Sequence, residues 1–219
     1  YQAINIDLVI QKVLKGLATP TGDLLSPEFD APVAVNGPRL RYHPVHAREL
    51  LREAGYPGGF DLTMDCVNVA FREHVCQAIA AMLTQVGIRT TLHTSPSTQF
   101  FPMLVQGKVS LAEFGFTGTS EDAWQSLNGL LHTWDKDGGG TFNAGRYSNL
   151  RLDALIDAVR TELDPARRRT LIAGVLRQAG DDIAYVPLYR RTLSWVMQKK
   201  VHVVMLPDDT IPVRWASVR

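Results

Sequence analysis

The residues best placed to do chemistry sit in one short polar turn. Phe116, Thr117, Gly118 and Thr119 close an apolar run that starts at Leu111, and Glu121 and Asp122 follow at the head of a second run, Trp124, Leu127, Leu130 and Leu131. Hydroxyls and backbone N–H groups in such a turn can hold a solute. In open α/β sheets, a strand that empties into the mouth of a helix is where ligands bind. The same residues also suit an ordinary hydrogen-bonded connection. Trp124 offers a stacking face, or, at helical spacing with Leu127 and Leu131, a core side chain. Asn68 and Arg72 stand just past an earlier strand, where the guanidinium can clamp a carboxylate or simply be solvated. Asn143 and Arg146 lie in a loop rich in Gly and Asn, 135–149, which by composition is flexible and makes no core. His132 reads as a helix-end cation. Tyr189 and Trp195 suit either a cleft or a core.

Catalytic and metal patterns are missing from the sequence. There is no GxSxG, no HExxH, no CxxC and no Gly-rich phosphate loop after a strand. Aspartates and histidines are scattered without the spacing of a triad. Binding is therefore expected rather than catalysis, with no cofactor and no metal. Two cysteines, Cys66 and Cys76, either pair or serve as two small buried hydrophobes.

The chain has 219 residues and a net charge of +1, so no strong field draws it to nucleic acid or to an anionic membrane surface. No apolar run reaches the ~18 residues of a membrane span. It begins at Tyr1 without a charged-then-apolar leader, and so reads as a processed product or a fragment.

Periodicity supplies the elements that must position these residues. A helical stripe runs over 4–14 (Ile6, Val9, Ile10, Val13, Leu14), and a long irregular segment with four prolines follows over 17–43. Pro44 starts a second helix, with His43 a weak cap, Ala47, Leu50, Leu51 and Ala54 inward and Gly55 as its stop. Residues 61–67 alternate as a strand, Val75 to Val86 form a helical stripe stopped at Gly87, and 90–94 is a second strand. That βαβ unit predicts a parallel pair with a right-handed crossover. A short helix over 99–106 leads to the third strand, 111–116. Two crossovers of one hand predict the spatial order second–first–third, with helices on both faces and later strands, from Tyr185 on, joining antiparallel. Two helices cover 152–163 and 165–179, the second capped by Asp164–Pro165, with Arg167, Arg168 and Arg169 outward. Short β-like runs, 185–189, 193–197 and 201–205, close the chain.

Four segments together resemble a known family. HPVHARELLREAGYPGGFDLTM, EFGFTGTSEDAW, GRYSNLRLDALI and DDIAYVPLYRRTLSWVM are similar, in order and spacing, to segments of the bacterial extracellular solute-binding proteins of the peptide/nickel class, family 5. The resemblance covers nearly the whole chain. It implies an α/β fold, a three-layer lobe like those of type II periplasmic binding proteins, with a mixed sheet around a parallel core. It implies the capture component of an ABC importer for peptides or related solutes, working with a membrane permease at the periplasm or cell surface. Members are about twice as long, so this chain resembles the C-terminal lobe. Within it 1–43 would be a helix and wrapping loop, 44–198 the α/β core, and 199–219 a return toward an N-terminal lobe. Where peptide binders of the family carry an Asp for the peptide's amino group, this chain has Thr119; Phe116 stands for the usual tryptophan, His43 for a capping Asp, and Leu150 for a proline. A neutral hydroxyl cannot neutralise an ammonium, which argues against a free peptide N-terminus as ligand. The alternatives from other classes are a stand-alone α/β hydrolase or transferase, and an interaction domain that docks a partner through 17–43.

Overall fold

A computed structural model of the chain describes residues 1–25, 39–118, 120, 122–206 and 209–218. Helix α1 (Ile6–Lys12) is capped by Asn5, whose side chain accepts from the Leu8 amide at 3.0 Å, and it buries Ile6, Val9 and Ile10. Strand β1 (Ala18–Pro20) follows. Helix α2 (Pro44–Glu53) starts at proline and is capped by His43, which accepts from the His46 amide. The expected weak cap therefore works. Its inner face is shallower than expected: Ala47 and Leu51 pack on the core, but Leu50 is exposed and no α2 residue is fully buried.

Strand β2 (Phe60–Val67), helix α3 (Ala70–Gln85) and strand β3 (Ile88–Ser95) form the predicted parallel unit, and helix α4 (Ser97–Val105) leads to strand β4 (Leu111–Glu113). The sheet order is β3-β2-β4 and both pairings are parallel, which is the order expected from two crossovers of one hand. Gly59 and Gly87 set the origin of the β2–β3 register. Gly59 has φ +70°, and a Cβ there would fall 1.8 Å from the Gly87 carbonyl oxygen, which accepts from the Phe60 amide. Side-chain alternation divides the sheet. Met64 and Cys66 point to α1 and α3, meeting Val75, Cys76, Ile79 and Leu83, while Val67 and Ala112 meet Phe100 and Leu104 of α4 on the other face. Helices thus lie on both sides, giving three layers.

A second core is helical. Helices α5 (Ala123–Leu131), α6 (Leu150–Thr161) and α7 (Pro165–Asp181) enclose Leu127, Leu131, Leu152, Ile156, Val159, Ile172 and Val175, all with no exposed surface. Asn149 caps α6, which starts at Leu150, ahead of the expected 152, and Asp164 caps α7 ahead of its first-turn Pro165, as the sequence indicates. Such caps contribute about 1 kcal/mol each. Arg168 departs from the solvated triplet: it reaches back to Asp122 at 2.7 Å and ties α7 to the head of α5. Leu163, the last residue of the helix expected over 152–163, is almost fully exposed, because the chain leaves the helix at Glu162.

The remaining strands correct the sequence reading further. Strand β4 stops at Glu113 instead of running to Phe116. Strand β5 (Tyr189–Arg191) pairs antiparallel with β1, and β6 (Val201–His202) pairs with β7 (Ser217–Val218); neither pair joins the parallel sheet. Residues 193–197 form no strand. Loop 135–149 is not a loose excursion. Phe142 packs on the helical core and Asn143 is 2% exposed. Part of the 17–43 segment, residues 26–38, lies outside the described residues, as do Thr119 and Glu121.

Candidate functional site

Arg72, in the first turn of α3, stands over the C-terminal end of β4, the strand beside β2. The crossover that puts α3 over the sheet also carries its start above the end of β4. There Nη1 of Arg72 donates to both oxygens of Glu113, at 2.9 and 3.1 Å. The Glu113 side chain is 6% exposed and that of Arg72 is 21% exposed, so the pair faces the surface through its cation. Burial pushes the Glu113 carboxyl above its ordinary value, and Arg72 pulls it part of the way back. Gly115 makes the approach possible: a Cβ there would meet Arg72 Nη2 at 2.1 Å. This also explains why β4 ends early, since the backbone past Glu113 runs under a guanidinium instead of along β2.

Around this pair stand aromatic and cationic groups. The guanidinium carbons of Arg72 and Arg191 lie 5.6 and 5.3 Å from the centre of the Phe71 ring. Arg191 also meets Asp209 at 2.9 Å. Tyr189 packs on the core below, its hydroxyl pushed up to about 12 by burial and by the Glu113 charge. Asn68 is exposed at the β2–α3 turn, with its amide on the Ser95 carbonyl at 2.8 Å. Behind the pair, Cys66 and Cys76 form a disulfide with Cα atoms 6.5 Å apart. The structure so chooses pairing from the two readings open for these cysteines.

The other sequence candidates divide. Thr117 is exposed and Gly118 buried in the turn after β4, while Thr119 lies outside the described residues. Phe116 is half-buried against Phe142, ring centres 5.4 Å apart and edge-on, so it joins the turn to loop 135–149 as well as walling it. Asp122 is engaged as the cap of α5, accepting from the Trp124 amide at 2.8 Å, and as the partner of Arg168. Trp124 packs on the helical core under the Arg160 guanidinium, 5.1 Å from its ring centre; its buried indole N–H meets no acceptor among the described residues. Asn143 is spent on the loop itself: its Nδ2 donates to the His132 and Tyr147 carbonyls and its Oδ1 accepts from the Tyr147 amide. Arg146, at φ +53°, donates to the Val105 carbonyl and lies over Trp134, clamping the loop to the end of α4. His132 ends α5 and holds the Thr133 carbonyl. The side chains of Asn143, Arg146 and Asp122 are thus each engaged within the chain. Arg72 and Asn68 stand at the mouth with Phe71, Glu113 and Arg191, which the sequence reading did not select. A concavity of about 530 Å³ between Tyr1, Arg39 and α7 contains none of the candidates. Arg39 there is turned to the carbonyls of Ile4, Leu40 and Pro187.

The chain is 30% identical over 219 residues to the glutathione-binding protein GsiB of Pectobacterium atrosepticum, an alignment covering 95% of this chain and 41% of that protein. The match to GsiB of Escherichia coli is 27% identical over 217 residues with the same coverage. The chain therefore spans about two-fifths of the length of these relatives. A dipeptide-binding protein from Pseudoalteromonas sp. SM9913, solved with Met-Leu, superposes with TM-score 0.84 at 17% identity, over 100% of this chain and 44% of that one. AppA of Bacillus subtilis, an oligopeptide-binding protein solved with a nonapeptide, superposes with TM-score 0.85 at 16% identity, over 100% and 46%. These likenesses show the fold, an α/β lobe of the type II periplasmic-binding-protein kind. The model of the bacterial extracellular solute-binding proteins, family 5 Middle, matches residues 1–138. The chain belongs to the bacterial extracellular solute-binding proteins of family 5.

Proposed function

We propose that this chain is one lobe of a two-lobed solute-capture protein that serves an ABC importer, and that its cleft face is the mouth around Arg72. The observation that carries the reading is a cation held at the C-terminal ends of a parallel sheet, where ligands of such sheets bind, in a chain 30% identical to a glutathione-binding protein. Among the described residues the Arg72 side chain hydrogen-bonds only through Nη1, to Glu113, which leaves Nε and Nη2 to donate to a solute oxygen. Asn68 adds an amide beside it, and Phe71 an apolar wall. The solute class is peptides or peptide-like molecules bearing a carboxylate or carbonyl on this side. The turn 116–119 is the second contact, with Phe116, Thr117, Gly118 and Thr119.

The partners that follow are an N-terminal lobe of the same protein and a membrane permease, at the periplasm or cell surface. Support for the first is the share of the relatives' length that this chain leaves uncovered. Support for a docking surface is the apolar exposure of the C-terminal segment, where Val204, Met205, Val213, Trp215 and Val218 all face outward. Closure of two lobes around a solute is a hinge motion. The role is capture rather than catalysis, as in the relatives, which are named as binding proteins.

The test is calorimetry on the full-length protein with glutathione, dipeptides and a tetrapeptide, preceded by mass spectrometry of whatever co-purifies. Saturable binding that Arg72→Ala weakens by tenfold or more supports the reading. Binding unchanged in Arg72→Ala moves the cleft elsewhere, and turnover of the solute overturns capture as the role.

A further inference from the structure

One buried cluster is left without a use by solute capture. Cys66 and Glu113 are register partners on adjacent parallel strands, so their side chains share a face of the sheet. Cys76, two turns into α3, comes down on the same face. Donor atoms of all three lie within 4.8 Å of one another, with the cysteines fully buried and Glu113 7% exposed. We propose that reduction of the Cys66–Cys76 disulfide uncovers a three-ligand site, two thiolates and the Glu113 carboxylate, for a divalent cation of the Zn²⁺ type.

Several observations meet in this assignment. Two sulfurs and one carboxylate oxygen form a donor set that suits a borderline-soft cation and leaves one tetrahedral position open. A tetrahedral cation with metal–sulfur distances of about 2.3 Å holds its two sulfurs roughly 3.8 Å apart. Cα atoms 6.5 Å apart allow that separation by side-chain rotation, without moving β2 or α3. The charges balance. Two thiolates and one carboxylate give three negative charges, against two on the cation and one on Arg72, so the buried group as a whole is neutral. Arg72 grips Glu113 through one nitrogen, and each carboxylate oxygen keeps a further lone pair for the cation. Arg72 thereby orients the carboxylate, as outer partners of metal-ligating carboxylates do.

The redox step is explicit. A dithiol reductant gives two electrons and two protons to the Cys66–Cys76 bond, which breaks to two thiols, while the dithiol becomes a disulfide. The cation then displaces the two thiol protons to solvent. In the oxidised protein the two sulfurs are bonded to each other and the site is closed. Because both sulfurs are shielded, the segment 67–75, the end of β2 and the start of α3, must open for reduction. That segment carries Asn68 and Arg72, so cation loading and the shape of the cleft mouth are linked.

The experiment uses the full-length protein, reduced with a dithiol, desalted without oxygen and titrated with Co²⁺. One equivalent should bind, with a near-ultraviolet thiolate-to-cobalt charge-transfer band that Zn²⁺ abolishes by displacement. The oxidised protein should show no such band. Zn²⁺ should raise the melting temperature of the reduced protein and leave that of the oxidised protein unchanged. Cys76→Ser should remove the band, and Glu113→Gln should weaken Co²⁺ binding at least tenfold. A reduced protein with no charge-transfer band, or one whose melting temperature Zn²⁺ fails to raise, overturns the site. Undiminished binding in Glu113→Gln overturns the three-ligand assignment.

Discussion

Replacing Arg72 by Met keeps the aliphatic stem and removes the charge opposite Glu113. The consequence depends on pH, with a sign the structure fixes. Burial holds the Glu113 carboxyl above its ordinary value of 4.5, so the folded protein retains this proton more tightly than the unfolded chain. The stability that protonation supplies is whole below the unfolded value and is lost as pH rises through the folded one. Arg72 opposes the loss by favouring the ionised form. Without it a side chain only 6% exposed must either ionise unpaired, which costs about 3–5 kcal/mol, or stay protonated. Staying protonated at pH 7.5, three units above the ordinary value, costs about 4 kcal/mol, and at pH 4.5 under about 1 kcal/mol. The wild type already bears part of this, so the variant should lose about 3 kcal/mol at pH 7.5. For a chain of this size that lowers the melting temperature by roughly 6–12 °C, with little change at pH 4.5. Thermal unfolding followed by circular dichroism at the two pH values measures it. Adding Glu113→Gln should restore most of the loss at pH 7.5, because a neutral amide needs no cation. An equal loss at both pH values, or a double variant no more stable than Arg72→Met, refutes the reasoning.

Gly59→Ala should lower the urea midpoint by an amount equal to at least ~2 kcal/mol, because its Cβ would strike the Gly87 carbonyl at positive φ; a midpoint within error of wild type would mean that β2 and β3 can shift their origin. Asn143→Leu orphans the His132 and Tyr147 carbonyls and the Tyr147 amide, and should cost ~3 kcal/mol in equilibrium unfolding; a loss under ~1 kcal/mol would show loop 135–149 standing without it. Thr119→Asp should weaken solute binding in calorimetry at fixed salt, since a carboxylate without a cationic partner is costly to desolvate; tighter binding would show that the solute brings an ammonium to this turn.

Local patterns made the helices legible, because stripes, caps and stops are all short-range. Asp164–Pro165 and Gly87 mark boundaries that the structure keeps. The strand order was legible too, since handedness leaves few ways to connect three parallel strands. What failed depended on contacts distant in sequence. Glycine content made loop 135–149 read as slack, but Asn143 supplies from one side chain the bonds that the glycines cannot. Leu163 fitted the stripe of α6 and is exposed only because the helix ends two residues earlier. The runs after Tyr185 have β-like composition, yet pairing requires a free edge, and β5 finds one on β1 instead of on the parallel sheet.

The site was half legible for the same reason. Arg72 was selected because it opens a helix after a strand, but its partner lies 41 residues on, and no spacing rule links them. A clue did exist. Glu113 sits inside an apolar run expected to be a buried strand, and a carboxylate there is tolerable only with a cation or a proton. The crossover narrows the choice of cation, because a right-handed β2–α3–β3 unit sets the start of α3 over the neighbouring strand end, and Arg72 is the first basic residue of α3. An acid in a core strand, followed two residues later by a glycine, therefore predicts a guanidinium crossing that glycine. Gly115 fulfils the last condition, since any larger residue there would push Arg72 off Glu113.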